Sequence, residues 1–132
     1  MKHDPVEPDI LQSIQGYSKR TIEMMTQGGA ADFDYSEKSV KFLSGVIDEE
    51  GPTYSDKAKQ MLPTVWGSYL GDAIIKKYGG KWVKFGSDYG VLVDGKNLSF
   101  PMTKVAKHIA NGQVDSIYAF YVVAGAGIEE QP

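Results

Sequence analysis

Apolar residues recur every three or four positions through the first half of the chain, which is the period of an amphipathic helix. The first run predicts a helix over residues 9–27, ended by the glycines at 28–29. The second run predicts a helix that begins after Asp34, with Glu37 three residues on in a capping-box arrangement, and that ends at Gly51.

A third and longer apolar stripe predicts a helix over residues 55–78. The stripe is wide, so we expect this helix to be the most buried one. Pro63 lies inside it and predicts either a kink or a helix that begins near Leu62. Gly67 and Gly71 stand four residues apart, where they either let another backbone approach closely or are merely tolerated.

After residue 80 the apolar pattern changes to an alternation, which is the period of a strand. Residues 81–85, 89–93 and 97–100 each fit this pattern. The last two are separated by Asp-Gly at 94–95, a strong signal for a tight hairpin turn. These strands predict a three-stranded antiparallel meander.

Two further helices are predicted after the meander. Pro101 suits the first turn of a helix that ends at Asn111. Residues 116–124 combine strand-like composition with helical spacing, and we predict a helix there. The complete order predicts an α+β fold: three N-terminal helices, a three-stranded antiparallel meander and two C-terminal helices, with helices covering one face of the sheet.

The 132 residues suit one domain, expected over 9–124 between a disordered leader at 1–8 and a disordered tail at 125–132. The chain has no cysteine and two histidines, which excludes disulfide frameworks, thiolate metal sites and multi-histidine metal centres. We therefore predict no metal and no cofactor. The chain has no export signal and no apolar run of membrane length, so we expect a cytoplasmic protein without membrane contact.

The net charge of −3 conceals an asymmetry. Residues 1–52 carry five basic and ten acidic side chains, whereas residues 53–132 carry nine basic and seven acidic ones. Four lysines between residues 76 and 84 could attract an anion. Nucleic-acid domains usually have a basic excess overall, so we interpret these lysines as solvated and predict no nucleic-acid partner.

Candidate catalytic groups all have structural explanations. His108 follows Lys104 and Lys107 on its predicted helix, and we expect it at the surface. Asp72 precedes Lys76 by four residues, the favourable order for an ion pair along a helix. The chain contains no Gly-x-Ser-x-Gly nucleophile motif. We therefore predict a protein that is not an enzyme and has no catalytic residues.

The acidic run that ends the second helix is the first candidate site. Carboxylates at the C-terminal end of a helix oppose its dipole, which leaves two interpretations: they pair with lysines elsewhere in the chain, or they face a basic partner. We predict that this run and the nearby tyrosine bind a basic protein through Asp48, Glu49, Glu50 and Tyr54.

Aromatic side chains suggest an alternative site at the sheet. Most of them follow residue 65, and a domain of this size cannot bury them all. We expect Tyr54, Tyr89 or Tyr118 to remain accessible. The alternative function is a domain that binds a small molecule or an anion, with ligand-binding residues Lys81, Trp82, Lys84 and Tyr89.

Residues 58–123 resemble bacterial families of small domains of unknown function. The resemblance lies in a Gly-Asp helix at 67–72, a Gly-Gly-x-Trp strand at 78–83, a Pro-initiated helix at 99–102 and its Asn-Gly end at 111–116. Some of these families include immunity proteins of bacterial toxin systems. The resemblance implies a protein-binding domain whose partner is a toxin, and it carries over no catalytic residue. A homodimer is a further option.

Overall fold

A computed structural model describes residues 2–30 and 32–125, and within them the chain forms five α-helices and a four-stranded antiparallel sheet. The helices are α1 (Pro8–Gln27), α2 (Glu37–Glu50), α3 (Asp56–Tyr78), α4 (Pro101–Asn111) and α5 (Ile117–Val123). The strands are β1 (Asp4–Pro5), β2 (Lys81–Phe85), β3 (Asp88–Val93) and β4 (Asn97–Ser99). Short 3-10 turns at Gly51–Thr53 and Gly112–Asp115 follow α2 and α4. The α+β class is confirmed, whereas the sheet differs from the predicted three-stranded meander by one additional strand.

Serine hydroxyls cap three of the helices. The Ser55 and Ser116 side chains accept hydrogen bonds from the third backbone N–H beyond them, at the starts of α3 and α5. At α2 the cap is Ser36, which accepts from the N–H of Ser39 at 3.2 Å. The prediction that Asp34 caps this helix is therefore wrong, because Asp34 lies two residues too early, in the preceding loop.

Helix α3 is the buried centre of the fold, as its wide apolar stripe predicts. It runs through Pro63 without ending, so a start near Leu62 is wrong. The proline removes one helical hydrogen bond, but the segment from Leu62 to Ile74 contributes ten buried residues that hold the helix in place.

The two glycines of α3 accept close neighbours. A Cβ at Gly67 would lie 2.5 Å from the Cα of Met102, so α4 rests directly on the α3 backbone there. A Cβ at Gly71 would overlap the indole ring of Trp82. The prediction of close backbone approach is confirmed at Gly67, whereas at Gly71 a side chain fills the space.

The sheet contains one strand more than predicted. Its order is β1-β2-β3-β4, with Asp4 opposite Lys84 and Pro5 opposite Val83. The leader expected to be disordered therefore adds a short edge strand. Val6 follows it into the core, where it is buried. A strand of two residues, one of them a proline, is too short to show the alternation of apolar and polar residues that predicts a strand. The sequence pattern therefore does not indicate β1.

The meander has two apolar faces. Trp82, Val91 and Val93 point toward the helices and join the main core. The opposite face carries a smaller cluster of buried side chains, consisting of Val83, Leu92, Leu98 and Phe100. Because successive residues of a strand point to opposite faces, neighbouring side chains of β2 belong to different environments.

The predicted C-terminal helix is confirmed, with Ile117, Phe120 and Tyr121 buried. The predicted disordered tail at 125–132 lies, apart from Gly125, outside the described residues. Within the described part of the chain, no helix combines the length and apolar character needed to cross a membrane.

Candidate functional site

His108 is buried, which contradicts its predicted surface position. Its exposed fraction is 1% because α4 packs on α3 and also contacts α2 and α5. The ring Nε2 lies 2.6 Å from Oδ1 of Asp48 on α2. The ring Nδ1 accepts a hydrogen bond from the backbone N–H of Ile117 at 3.1 Å.

These two contacts define the tautomer of the imidazole. Because Nδ1 accepts an N–H, the ring proton resides on Nε2, which therefore donates to the Asp48 carboxylate. Both nitrogens of His108 are thus occupied. The ring holds Asp48 in position and offers no lone pair for proton transfer or metal binding.

The second carboxylate oxygen of Asp48 is only weakly occupied. Oδ2 accepts from the side-chain amide of Gln113 at 3.3 Å. The Asp48 side chain is 26% exposed, and among the described residues no lysine or arginine forms a salt bridge with it. Asp48 is therefore a carboxylate held by neutral donors.

Asp48 borders two clefts. The α2–α5 cleft has a volume of about 370 Å³ and also contains the hydroxyls of Ser44 and Ser116, which lie 3.2 Å apart. Gly45 forms part of its wall and has no atom within 4 Å of where a Cβ would stand. The complete lining is Lys41, Ser44, Gly45, Asp48, Gln113, Ser116 and Tyr118. A second cleft of about 300 Å³ lies between the ends of α2 and α4, beside Lys59.

The other predicted partner-binding residues lie next to these clefts. Glu49 and Glu50 are exposed at the end of α2. The Tyr54 hydroxyl contacts Oε2 of Glu50 at 3.5 Å, and its ring packs edge-on against Trp66. Partial burial, and then the Glu50 charge, raise the pKa of Tyr54 to about 12. The structure thus brings Glu50 and Tyr54 together, while Asp48 turns toward His108.

The four residues of the alternative ligand site are divided. Trp82, Lys84 and Tyr89 lie on the helix-facing side of the sheet, whereas the register places Lys81 on the opposite side. Trp82 is buried, and its indole N–H donates to Oδ1 of Asp72 at 2.9 Å. These residues do not share one surface.

Asp72 does not pair with Lys76 as its spacing predicts. It accepts from the Ser18 hydroxyl at 2.5 Å and from the Trp82 indole, and burial raises the pKa of its carboxyl. Lys76 donates instead to the backbone carbonyl of Asp34 at 2.8 Å. Asp72 points inward between α1 and β2, so tertiary packing overrides the helical pairing.

The three tyrosines expected to be accessible are all half-buried. Tyr118 reaches the α2–α5 cleft, where its hydroxyl donates to Oε2 of Glu37 at 3.2 Å. The Lys41 ammonium lies 5.7 Å from the centre of its ring. Tyr118 therefore combines an accessible edge with a structural contact.

Sequence reasoning missed His108 and the cleft around it. Asp48 and His108 are 60 positions apart and meet only through helix packing, so no local pattern signals the pair. Within residues 2–30 and 32–125, no three histidine or acidic side chains are grouped to hold a metal ion. Comparison with protein-family models, curated proteins and solved structures found no match.

Proposed function

We propose that this protein is a non-enzymatic binding domain that recognises a basic segment of a protein partner through the end of α2. The main support is that three consecutive carboxylates end this helix without a basic residue in its last turn. They face the negative end of the helix dipole, which is unfavourable in the free protein. A cationic partner relieves this repulsion.

The surroundings of this acidic end suit a protein interface. Val114 is 84% exposed and adjoins Gln113, whose amide contacts Asp48. Interfaces combine apolar anchors with a polar rim, and Val114 provides such an anchor next to the residue that contacts Asp48. His108 supports a non-enzymatic role, because neither of its nitrogens has a lone pair facing a cleft.

The resemblance to small bacterial domain families, some of which include toxin-immunity proteins, makes the proposal more specific. We propose that the domain is a cytoplasmic bacterial immunity or inhibitor protein and that its partner is a toxin with a basic surface. Neutralisation of that surface is then the function of the acidic end of α2.

The test variant is Glu49→Lys, and its matched control is Glu23→Lys, the same charge reversal at an exposed position of another helix. A partner captured from the source organism is purified, and its affinity for each variant is measured by calorimetry at low and high salt. We expect Glu49→Lys to weaken the complex at least about tenfold and Glu23→Lys to leave it within about twofold. An affinity that Glu49→Lys does not change contradicts the proposal.

A further inference from the structure

We infer that the α2–α5 cleft binds one basic side chain, with Asp48 as its counter-ion and His108 as the residue that positions Asp48. This inference deepens the proposed function by naming the group that a basic partner inserts. The inserted group is a guanidinium or an alkylammonium cation, which arginine or lysine supplies.

The first argument for a bound cation is the negative charge of Asp48. Its two hydrogen-bond donors, the His108 ring and the Gln113 amide, add no positive charge in this arrangement, and among the described residues no lysine or arginine lies within salt-bridge distance of it. A partly buried carboxylate without a cation gains strongly from acquiring one, since water screens the interaction less there. Oδ2 has capacity for a further donor, because each carboxylate oxygen accepts more than one hydrogen bond.

The carboxylate is also oriented before any ligand arrives. The His108 ring is fully enclosed and is fixed from both sides, by Asp48 at 2.6 Å and by the N–H of Ile117 at 3.1 Å. A ligand therefore does not have to order this part of the site, which lowers the entropic cost of binding.

The cleft has room for one side chain. Its volume of about 370 Å³ is at the small end of the range for ligand pockets. Ser44 and Ser116 provide hydroxyl acceptors beside Asp48, and Gly45 leaves its wall open.

Lys41 is the feature of the cleft that opposes a cation. It lies seven residues before Asp48 on α2, about 10 Å along the helix axis. Its ammonium is drawn to the Tyr118 ring, 5.7 Å from the ring centre. Because Lys41 lines the same cleft, its charge opposes the binding of a second cation, and its removal should strengthen binding.

The test uses defined small probes on the full chain. Acetyl-arginine amide and acetyl-lysine amide are titrated and followed by the amide signals of ¹⁵N-labelled protein, with the uncharged acetyl-citrulline amide as control. We expect at least one cation to shift signals of residues 44–48 and 113–116, with an affinity on the order of millimolar. The citrulline probe should bind at least about tenfold more weakly.

Variants separate binding from folding. Asp48→Asn removes the charge, Gly45→Phe fills the cleft, and Gly16→Phe is the matched control on α1, where a Cβ also meets no atom within 4 Å. We expect the first two to lose binding at least about tenfold, Gly16→Phe to retain it, and Lys41→Gln to strengthen it. The gain with Lys41→Gln is a result that a purely structural Asp48 would not produce.

The inference is overturned if neither cation shifts these signals, or if Gly45→Phe binds like the wild-type protein. A partner complex that depends on Glu49 but not on Asp48 would overturn it while the proposed function stands. If Glu49→Lys leaves the affinity of the partner unchanged while the arginine probe still binds at Asp48, the proposed function is overturned and this inference stands.

Discussion

Two carboxylates of this protein have almost the same hydrogen-bond pattern but different surroundings. Asp72 accepts from a serine hydroxyl and an indole N–H, and Asp48 accepts from an imidazole N–H and an amide. Asp72 lies on α3 and is half-buried where this helix faces α1 and β2, and it borders neither cleft described above. Asp48 faces both clefts. The hydrogen bonds alone therefore do not distinguish these two carboxylates, whereas access to a cleft does.

The structural side of this comparison depends most on Trp82, which donates to Asp72 and fills the space at Gly71. Trp82→Ala should lower the free energy of unfolding by about 3–5 kcal/mol, because it leaves a large cavity and an unpaired carboxylate oxygen. Urea denaturation measures the loss. Val114→Ala, at an exposed position, should stay within about 0.5 kcal/mol. A small effect of Trp82→Ala would show that the indole does not hold the sheet to α3.

The two carboxylates themselves provide the next test. Asp72→Ala leaves the Ser18 hydroxyl and the Trp82 indole without an acceptor, at about 1–3 kcal/mol for each buried group. Asp48→Ala leaves one such group, His108, because Gln113 is exposed and can bond to water. We expect Asp72→Ala to be the more destabilising substitution in urea denaturation. The reverse order would contradict the contrast drawn between the two sites.

The partial burial of Asp72 should make its contribution to the free energy of unfolding depend on pH in the acid range. Burial raises the pKa of its carboxyl, so the folded protein holds this proton to higher pH than the unfolded chain does. The stability advantage of wild type over Asp72→Asn should thus be greatest below about pH 3.9 and should fall as the pH rises through the raised pKa. Denaturation across the acid range measures it, with Val114→Ala as the parallel control. An advantage that grows with pH would contradict the prediction.

The smallest effect is expected at the wall of the α2–α5 cleft. Gly45→Ala should stabilise the protein by about 0.5–1 kcal/mol, because glycine disfavours a helix and the new methyl group enters open space. Gly16→Ala on α1 has the same surroundings and should give a matching gain by thermal denaturation. A loss of stability confined to Gly45→Ala would show that the cleft is narrower than described.

Part of the site could be predicted from the sequence. The acidic run at the end of α2 is visible as charge opposed to a helix dipole, and the run contains Asp48. Its partner His108 could not be found, because the neighbouring lysines suggested a solvated face. Lys104 instead pairs with Asp115, and that side of α4 is covered by the turn at Gly112–Asp115 and by α5.

The sequence by itself determined the five helices and the strands of the meander, since periodicity and glycine or proline stops act within a few residues. Only the tertiary structure decided the edge strand at Asp4–Pro5, the burial of His108 and the different surroundings of Asp48 and Asp72. These features depend on contacts between segments tens of residues apart. Such contacts form because whole helix and sheet faces must be covered, and a local pattern does not record which face covers which.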